Sequence, residues 1–502
     1  MRNRWFQILV IGIIGLGILL RASKYLPAWS MRGDELSLTS NLMNRSPLEL
    51  ISKPLDFEQA APFGFLLIEK FLLTVLGRSE YVLRLVPFLA GCASLFLLQR
   101  LLSKPSAQYG NLFALGAFAF GDYLIYYSAE IKQYSTDVLI CLVLFLILQR
   151  HLANEHTTTD DMLWLAGAGV FALCFSHPAV FILGGIGIAL FAHHFKDKRR
   201  LVWVIITSAV WAVTFLIVYL LILRHQTTSS YLITFWGNLL SFMPMPPWQD
   251  LSWFPSALDN LFFVVGGLAS GLIIVFPIYL LGLWGFVKEK NWGWALALTV
   301  PIGLNMLASG FQKFPFHGRL ILYLLPLIFI TLGKGIDALL DKIPSRVIAN
   351  FVYGALVILI LNSAVPTANT YLVTRDYVRD DMKPALSFMK LNAQGNDLVY
   401  LYHYAGGTYT YYAPDYGLEN LAVIHGEDRF RNAKRYDQDL DLLPRGQRVW
   451  FVFSFVGQTR VSKDVKVDER EYILNYLNQN GKLMTEFYST NNASYAHLFI
   501  LR

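Results

Sequence analysis

Residues 178–223 read PAVFILGGIGIALFAHHFKDKRRLVWVIITSAVWAVTFLIVYLLIL, two apolar runs (178–195 and 201–223) joined by Lys196-Asp197-Lys198-Arg199-Arg200. Each run has about the ~20 residues that a helix needs to cross a hydrocarbon core. A short link dense in cations between two such runs is the pattern of a cytoplasmic connection. Working outward, further apolar runs fall near 5–20, 81–99, 107–127, 134–149, 162–176, 259–287, 292–309, 319–333 and 347–366. Together they predict about eleven membrane spans. The composition agrees: 55% of the 502 residues are hydrophobic and 15% charged, against roughly 25% charged in soluble proteins. A disordered or wholly water-soluble chain is excluded.

The link at 196–200 sets a register for the rest. With the N-terminus inside, Arg100/Lys104, Arg150, Lys288/Lys290 and Lys334/Lys342/Arg346 all fall in cytoplasmic connections. Residues 21–80, the turn at 122–134, His177, the 224–258 loop, the Phe311–Arg319 turn and everything after residue 366 then lie outside. The apolar run Trp5–Leu20 follows Arg2 and Arg4 without a convincing small-x-small cleavage site, and is expected to stay as an anchor. The stretch 62–77 is apolar too, but counting it as a span would invert every later loop. Glu69 and Lys70 at its centre would cost about 2.5–3.5 kcal/mol each at the bilayer middle. An interfacial or re-entrant helix is expected there; a span with a paired Glu-Lys is the other reading.

The net charge of +7 follows the same register. Sixteen Lys+Arg and sixteen Asp+Glu follow residue 366, so the whole excess lies upstream. There, cytoplasmic segments hold 14 cations against 7 acids and outer segments 12 against 12. The charge is an orientation signal; no Lys/Arg-rich face or zinc-ligand spacing points to nucleic acid. Cys92, Cys141 and Cys174 all lie inside apolar runs and behave as small hydrophobes.

Two regions are therefore expected: a transmembrane module, 1–366, with interfacial helices in its outer loop 21–80, and an extracytoplasmic α/β domain, 367–502. In the latter, the pattern predicts a helix over Asp381–Leu391 and another near Asp468–Gln479. Strands are predicted at Asp397–His403, Thr408–Tyr412, Leu421–His425, Arg448–Phe455, Leu483–Tyr488 and Ala496–Leu501.

Polar residues at the outer helix ends carry the candidate chemistry. Asp34 and Glu35 follow Arg32-Gly33 about a dozen residues after the first span, and adjacent carboxylates suit a general base or a cation ligand. Acids opening a helix at Glu35–Asn44, with Asp34 as its cap, are the structural reading. Glu130, Lys132, Tyr134 and Asp137 do not share one helical stripe, so a turn must intervene for them to converge. Simple interface charges are the alternative for Glu130 and Asp137. Lys313, His317 and Arg319 place three potential cations in seven residues on the side opposite to the cytoplasmic positives. An anion such as phosphate answers that departure, with Arg as a bidentate fork and Lys as a point charge; snorkelling to headgroups is the alternative. His177, at another outer helix end, lines the site or merely packs.

Asp34-Glu35, Ala61-Pro62-Phe63, the stretch Leu76–Pro87, Glu130-x-Lys132-x-Tyr134 and Pro315–Arg319 resemble, in order and sidedness, the GT-C glycosyltransferases. The likeness is to the family 39-like branch of protein O-mannosyltransferases and lipid A aminoarabinose transferases, and covers roughly residues 1–330. Arg379-Asp380-Asp381-Met382-Lys383-Pro384 and Tyr411-Tyr412 are also similar to bacterial members. The resemblance implies a polytopic α-helical fold in the plasma (inner) membrane and a polyprenyl-phosphate sugar donor. It also implies an acceptor hydroxyl on an extracytoplasmic protein, glycan or lipid. It matches Asp34 to the base and Asp137 to an acid; Lys132 stands where related sequences often carry Arg. On this reading Lys132, Lys313, His317 and Arg319 bind donor phosphate, Glu35 orients Asp34 or holds a cation, and Glu130, Tyr134 and His177 line the site. No cofactor is certain, and a divalent cation is compatible with Asp34-Glu35. A transporter or lipid-linked saccharide flippase suits the span count equally, but transporters gather polar groups near the midplane, whereas these clusters sit at one face. A scaffold working through the C-terminal domain is a third class.

Overall fold

The computed structural model describes residues 4–502 except 103–107, 154–157, 270, 376, 379–380, 429–433, 461–465 and 491. Lys104 and the Arg379-Asp380 pair quoted above lie outside the described residues, as does Arg2. The chain divides into two compact units, Met1–Pro27 with Leu38–Val373, and Ala28–Ser37 with Thr374–Arg502.

The first unit is helical, and each of the eleven expected runs holds a helix. Six are long and apolar enough to span: Arg4–Tyr25, Tyr134–Ala153, Lys198–Thr228, Gly271–Lys288, Trp292–Gly310 and Gly318–Leu340. Two more are bent pairs, Gln108–Phe120 with Asp122–Ala129 (54°) and Arg346–Ile360 with Ala364–Thr374 (57°). The remaining three, Leu85–Leu101, Thr159–Phe175 and Ala179–His194, have 17, 17 and 16 residues, or about 25 Å of helix against a hydrocarbon core of ~30 Å. The run 259–287 is broken around Gly267 (φ 65°), which separates Trp253–Val265 from Gly271–Lys288. The stretch 62–77 forms the 14-residue helix Phe63–Leu76. Its Glu69 and Lys70 do not pair: the Lys70 ammonium donates to the Leu42 carbonyl at 2.7 Å, and the buried Glu69 carboxyl has no hydrogen bond among the described residues.

Helices approach one another through small residues. A Cβ at Gly110 would lie 2.0 Å from the Gly333 carbonyl oxygen, and one at Gly282 would lie 2.0 Å from the Thr331 carbonyl oxygen. Only glycine permits that spacing, which is how helices gain van der Waals contact where lipid and side chain are equally apolar. The helix over Leu325–Leu340, at the receiving end of both contacts, is buried along most of its length. Connections that the register put on one side meet each other. Gln59 and Ala60 meet Lys132 and Gln133, Thr227 meets Lys313, and Trp236 meets Arg319. On the other side, Lys334 pairs with Glu289 and His151 meets His194 at 3.2 Å.

The second unit is α/β. Strands β1 (Leu398–Leu401), β2 (Ala422–His425), β3 (Arg448–Ser454), β4 (Gln458–Arg460), β5 (Lys466–Asp468), β6 (Gly481–Tyr488) and β7 (Ser494–Leu501) form a five-stranded sheet, β2-β1-β3-β7-β6, and the hairpin β4-β5. β1 runs parallel to β2 and β3, while β7 is antiparallel to β3 and β6. β3 is buried on both faces, and its continuous apolar run Val449–Phe453 says as much. The helices Lys383–Asn392 and Glu469–Asn480 lie where the sequence placed them. The expected strand Thr408–Tyr412 is instead the end of a helix, Gly406–Tyr412. Its alternating Thr and Tyr favour a strand, but Tyr409 and Tyr412, three apart, both enter the core, and the Tyr409 hydroxyl donates to the Leu418 carbonyl. Packing at helical spacing overrides propensity.

His497, on β7, is fully buried with neither ring nitrogen hydrogen-bonded among the described residues. Burial pushes its pKa down to about 4 despite Glu486 at 3.4 Å. The unfolded chain, with an ordinary value near 6.5, then binds more protons than the folded one between these values. Stability of this unit is expected to be complete above about pH 6.5 and to fall as the pH drops towards 4. Thermal melts of the full chain in detergent at pH 7 and pH 5 read this out; a His497→Asn variant is expected to show a smaller difference.

Candidate functional site

Asp34 and Glu35 open the helix Gly33–Asn44, inside its first turn rather than as its cap. The acids face the positive end of the helix dipole. Neighbours on a helix point about 100° apart, and the two divide accordingly: Glu35 is 2% exposed, while Asp34 is partly accessible. Asp34 is thus the more accessible of the two acids. The segment leading to it belongs to the second unit and is tied there at four points. The Ser30 hydroxyl donates to Asp381 (2.8 Å), the Met31 amide donates to the Tyr412 hydroxyl (2.9 Å), the Met382 amide donates to the Ser30 hydroxyl (3.2 Å) and the Lys383 ammonium donates to the Ala28 carbonyl (2.7 Å). The sequence alone assigned this stretch to the membrane module because it is flanked by that module's helices. Asp381, Lys383 and Tyr412, noted above only as family-like patterns, are what claim it for the other unit.

The remaining candidates lie in the first unit. The expected turn exists: the helix Asp122–Tyr126 passes through a 3-10 turn at Tyr127–Ala129 to an extended Glu130, and a new helix begins at Tyr134. It gives each of the four side chains a partner of its own. Glu130 forms a part-buried ion pair with Lys24 at 2.5 Å, and that ammonium also donates to the Tyr126 carbonyl and stands over its ring. Lys132 donates to the Gln59 side chain. Asp137, 6% exposed, accepts from Ser176, and its Oδ1 has no hydrogen bond among the described residues. Tyr134 lies beneath Arg319, whose guanidinium is 5.7 Å from that ring, 6.0 Å from the Trp236 ring and hydrogen-bonded to the Tyr127 hydroxyl.

Arg319 is presented by a sharp turn. Gly318 takes φ 54°, and its amide donates to the Asn260 side chain at 2.9 Å, starting the 3-10 helix Gly318–Leu324. His317 packs on Trp236, ring centroids 6.4 Å apart. Burial lowers its pKa, so at neutral pH it offers hydrogen bonds rather than charge. Lys313 is exposed and reaches the Thr227 carbonyl at 3.5 Å. The His177 ring, pushed down to about pKa 4 by burial, is neutral as well, and its Nε2 has no hydrogen bond among the described residues.

A cavity of about 420 Å³ lies beside these groups, lined by Leu50, Glu58, Gln59, Leu66, Leu221 and Ser229 among others. Gln59, in its wall, is the partner of Lys132. Gln226 and Thr228, also in the lining, flank the Thr227 carbonyl that receives Lys313. Apolar and polar walls meet there. Sequence reasoning missed Gln59, Tyr127, Trp236 and Lys24. A signal existed for the last: Arg21 and Lys24 are cations at the end of the first span that the charge register expects outside, the same departure from the positive-inside pattern that marks Lys313–Arg319. Among the described residues no group of three or more His, Cys, Asp or Glu is arranged to hold a metal ion. A cation on Asp34 would draw its other ligands from elsewhere.

No protein-family model and no curated protein matches the chain. Among solved structures, ArnT from Cupriavidus metallidurans bound to undecaprenyl phosphate superposes with a TM-score of 0.52 at 10% identity, over 99% of this chain and 98% of that one. The chain shares the fold of ArnT. It is a polytopic helical membrane protein with a C-terminal α/β region, as expected above. At that identity the likeness concerns fold alone. The apo state of the same protein gives 0.49 at 12% identity over 98% and 97% of the chains. The apo oligosaccharyltransferase of Archaeoglobus fulgidus gives 0.49 at 11% identity, over 99% of this chain and 74% of that one.

The Lys24–Glu130 pair makes a direct prediction. Removing one partner of this part-buried pair leaves the other charge short of its ion-pair partner, at a cost of up to about 3–5 kcal/mol. Lys24→Met and Glu130→Gln are each expected to lower the unfolding temperature in detergent by many degrees. The double variant Lys24→Met/Glu130→Leu is expected to recover most of the loss, as measured by intrinsic-fluorescence melts.

Proposed function

We propose that this protein is an inverting glycosyltransferase that moves a sugar from a polyprenyl-phosphate donor to an acceptor hydroxyl at the extracytoplasmic face. The observation that carries the reading is the Arg319 cluster: a guanidinium set among Tyr127, Tyr134 and Trp236, in a connection whose sidedness runs against the positive-inside trend. A lipid phosphate keeps its chain in the bilayer and brings its phosphosugar to a helix end, where such a cation is useful. The fold shared with ArnT, a structure described as bound to undecaprenyl phosphate, supports the same reading.

The residues divide the work by chemistry. Arg319 binds phosphate through a fork of N–H donors, with Lys132 and Lys313 as point charges and His317 as a neutral hydrogen-bond donor. As the bond between C1 and the phosphate oxygen breaks, negative charge grows on the leaving phosphate, and these groups stabilise it. Asp34 takes the proton of the acceptor hydroxyl while its oxygen attacks C1 from the opposite face, which inverts the configuration. Buried Glu35 holds the first helical turn, and so the direction of Asp34. Glu130 acts at one remove, by fixing the turn through Lys24. Asp137 is the second acid of the reaction on this reading, buried and held by Ser176, next to His177.

Transfer of radiolabelled sugar from polyprenyl phosphate by the purified protein in detergent tests the reading. Asp34→Asn is expected to lower the turnover about 10²–10⁴-fold with donor binding unchanged. Arg319→Ala is expected to weaken donor binding about tenfold or more, while Arg319→Lys retains part of it. Full activity in Asp34→Asn removes that residue as base. Donor-dependent flux across liposomes without transfer would replace the enzyme with a transporter.

A further inference from the structure

The second unit holds a cleft that the reaction described so far does not use. Its volume is about 850 Å³, within the ~300–1,000 Å³ of small-molecule sites. We propose that this cleft is a carbohydrate-binding site for a neutral oligosaccharide and, resting on the glycosyl-transfer reading above, that the bound saccharide is the acceptor.

Three independent observations carry this. First, the rings of the sheet core are buried: Tyr400, Tyr402, Trp450, Phe451, Phe453 and Phe499 are at most 1% exposed. Tyr404 and Phe455, which line the cleft, are 52% and 43% exposed, edge to face with centroids 5.4 Å apart. Two rings at right angles present a flat apolar face and an edge, which suits the C–H face of a pyranose ring. Second, the rest of the lining is hydrogen-bonding rather than greasy. Asp428, Glu469 and Asn492 offer planar groups that match pairs of vicinal hydroxyls, and His403 lines the cleft with a buried Nδ1 that has no hydrogen bond among the described residues. Glu469 is held in place by the hydroxyls of Tyr402 and Tyr436. The lining holds three carboxylates, Asp428, Asp468 and Glu469, against Arg375, with Arg32 over the Phe455 ring at 5.9 Å, so its field is not one that favours a phosphate or a polyanion. Third, of nine non-glycine residues with positive φ among the described residues, three line this one cleft: Arg375 (57°), Phe455 (49°) and Asn492 (52°). Such backbone is strained and collects at ligand sites, where it sets side-chain directions.

The cleft and the acid belong to the same unit. Arg32, in contact with Phe455, precedes Asp34 by two residues on a segment tied to this unit through Ser30, Met31 and Ala28. Asp34 and the cleft thus travel on one body. A saccharide held between Tyr404 and Phe455 brings its hydroxyls to the body that carries the base.

Titration calorimetry of the full chain in nanodiscs tests the site, with maltotriose, a trimer of N-acetylglucosamine, a trimer of galacturonic acid and inorganic phosphate as probes. Saturable binding of at least one neutral trimer is expected. Tyr404→Ala is expected to weaken it about tenfold, and Asp428→Asn severalfold, with the unfolding temperature checked for each. In the transfer assay, Tyr404→Ala is expected to raise KM for the acceptor and leave donor binding unchanged. Absence of neutral-trimer binding, preference for galacturonate or phosphate, or equal affinity in both variants overturns the proposal even where transfer persists. Saturable, Tyr404-dependent binding without transfer to any hydroxyl keeps the cleft as a carbohydrate site and removes the enzyme reading instead.

Discussion

The absence of water in the hydrocarbon layer governs this chain. Every backbone N–H and C=O inside it must find a partner within its own segment, so the apolar runs become helices and the polar chemistry collects where the helices end. The Arg21 guanidinium shows the constraint acting on a side chain. It is wholly buried near the end of the first helix and donates to the carbonyls of Gly17, Phe118 and Ala119. One turn later Lys24 finds Glu130. These two contacts fix the turn at Glu130–Gln133, and that turn sends Lys132 to Gln59 and brings Tyr134 beneath Arg319. The phosphate-binding reading therefore rests on a charge pair that touches no phosphate.

The second unit solves a different problem. It builds an ordinary α/β core around β3, with the Trp450 indole and the Arg448 guanidinium both donating to buried Asp397. Its unusual act is to capture ten residues from the other end of the chain, Ala28–Ser37. Capture relies on hydrogen bonds that the Asp381 carboxylate and the Tyr412 hydroxyl accept and Lys383 donates, so a carboxylate near the N-terminus becomes part of a domain that begins more than three hundred residues later. The strained positions around the cleft sit in this same unit, where a well-packed sheet can hold them.

Legibility in the sequence followed the range of the interaction. Helix positions were readable because a bilayer imposes its requirement on each segment separately; each expected run holds a helix. Segments grouped by the alternating charge register do meet, as Gln59 with Lys132 and Lys334 with Glu289 show. The failures share a cause. Gly406–Tyr412 was expected as a strand because β-propensity outweighs spacing over five residues, whereas burial of Tyr409 and Tyr412 decides the matter. Glu130, Lys132, Tyr134 and Asp137 were grouped as neighbours in sequence, and the turn points them at four different partners. Gln59, Tyr127 and Trp236 carry no motif and acquire meaning only through what they touch.

By itself, then, the amino-acid sequence determined that this is a multi-span helical membrane chain with a C-terminal α/β region. Hydropathy and loop charge act locally, and their sum is visible residue by residue. The tertiary structure alone decided which acid is accessible, which cation sits in an aromatic setting, and to which body the segment Ala28–Ser37 belongs. Those outcomes depend on contacts between residues hundreds of positions apart, whose energies are differences between competing partners, and no local pattern records which partner wins.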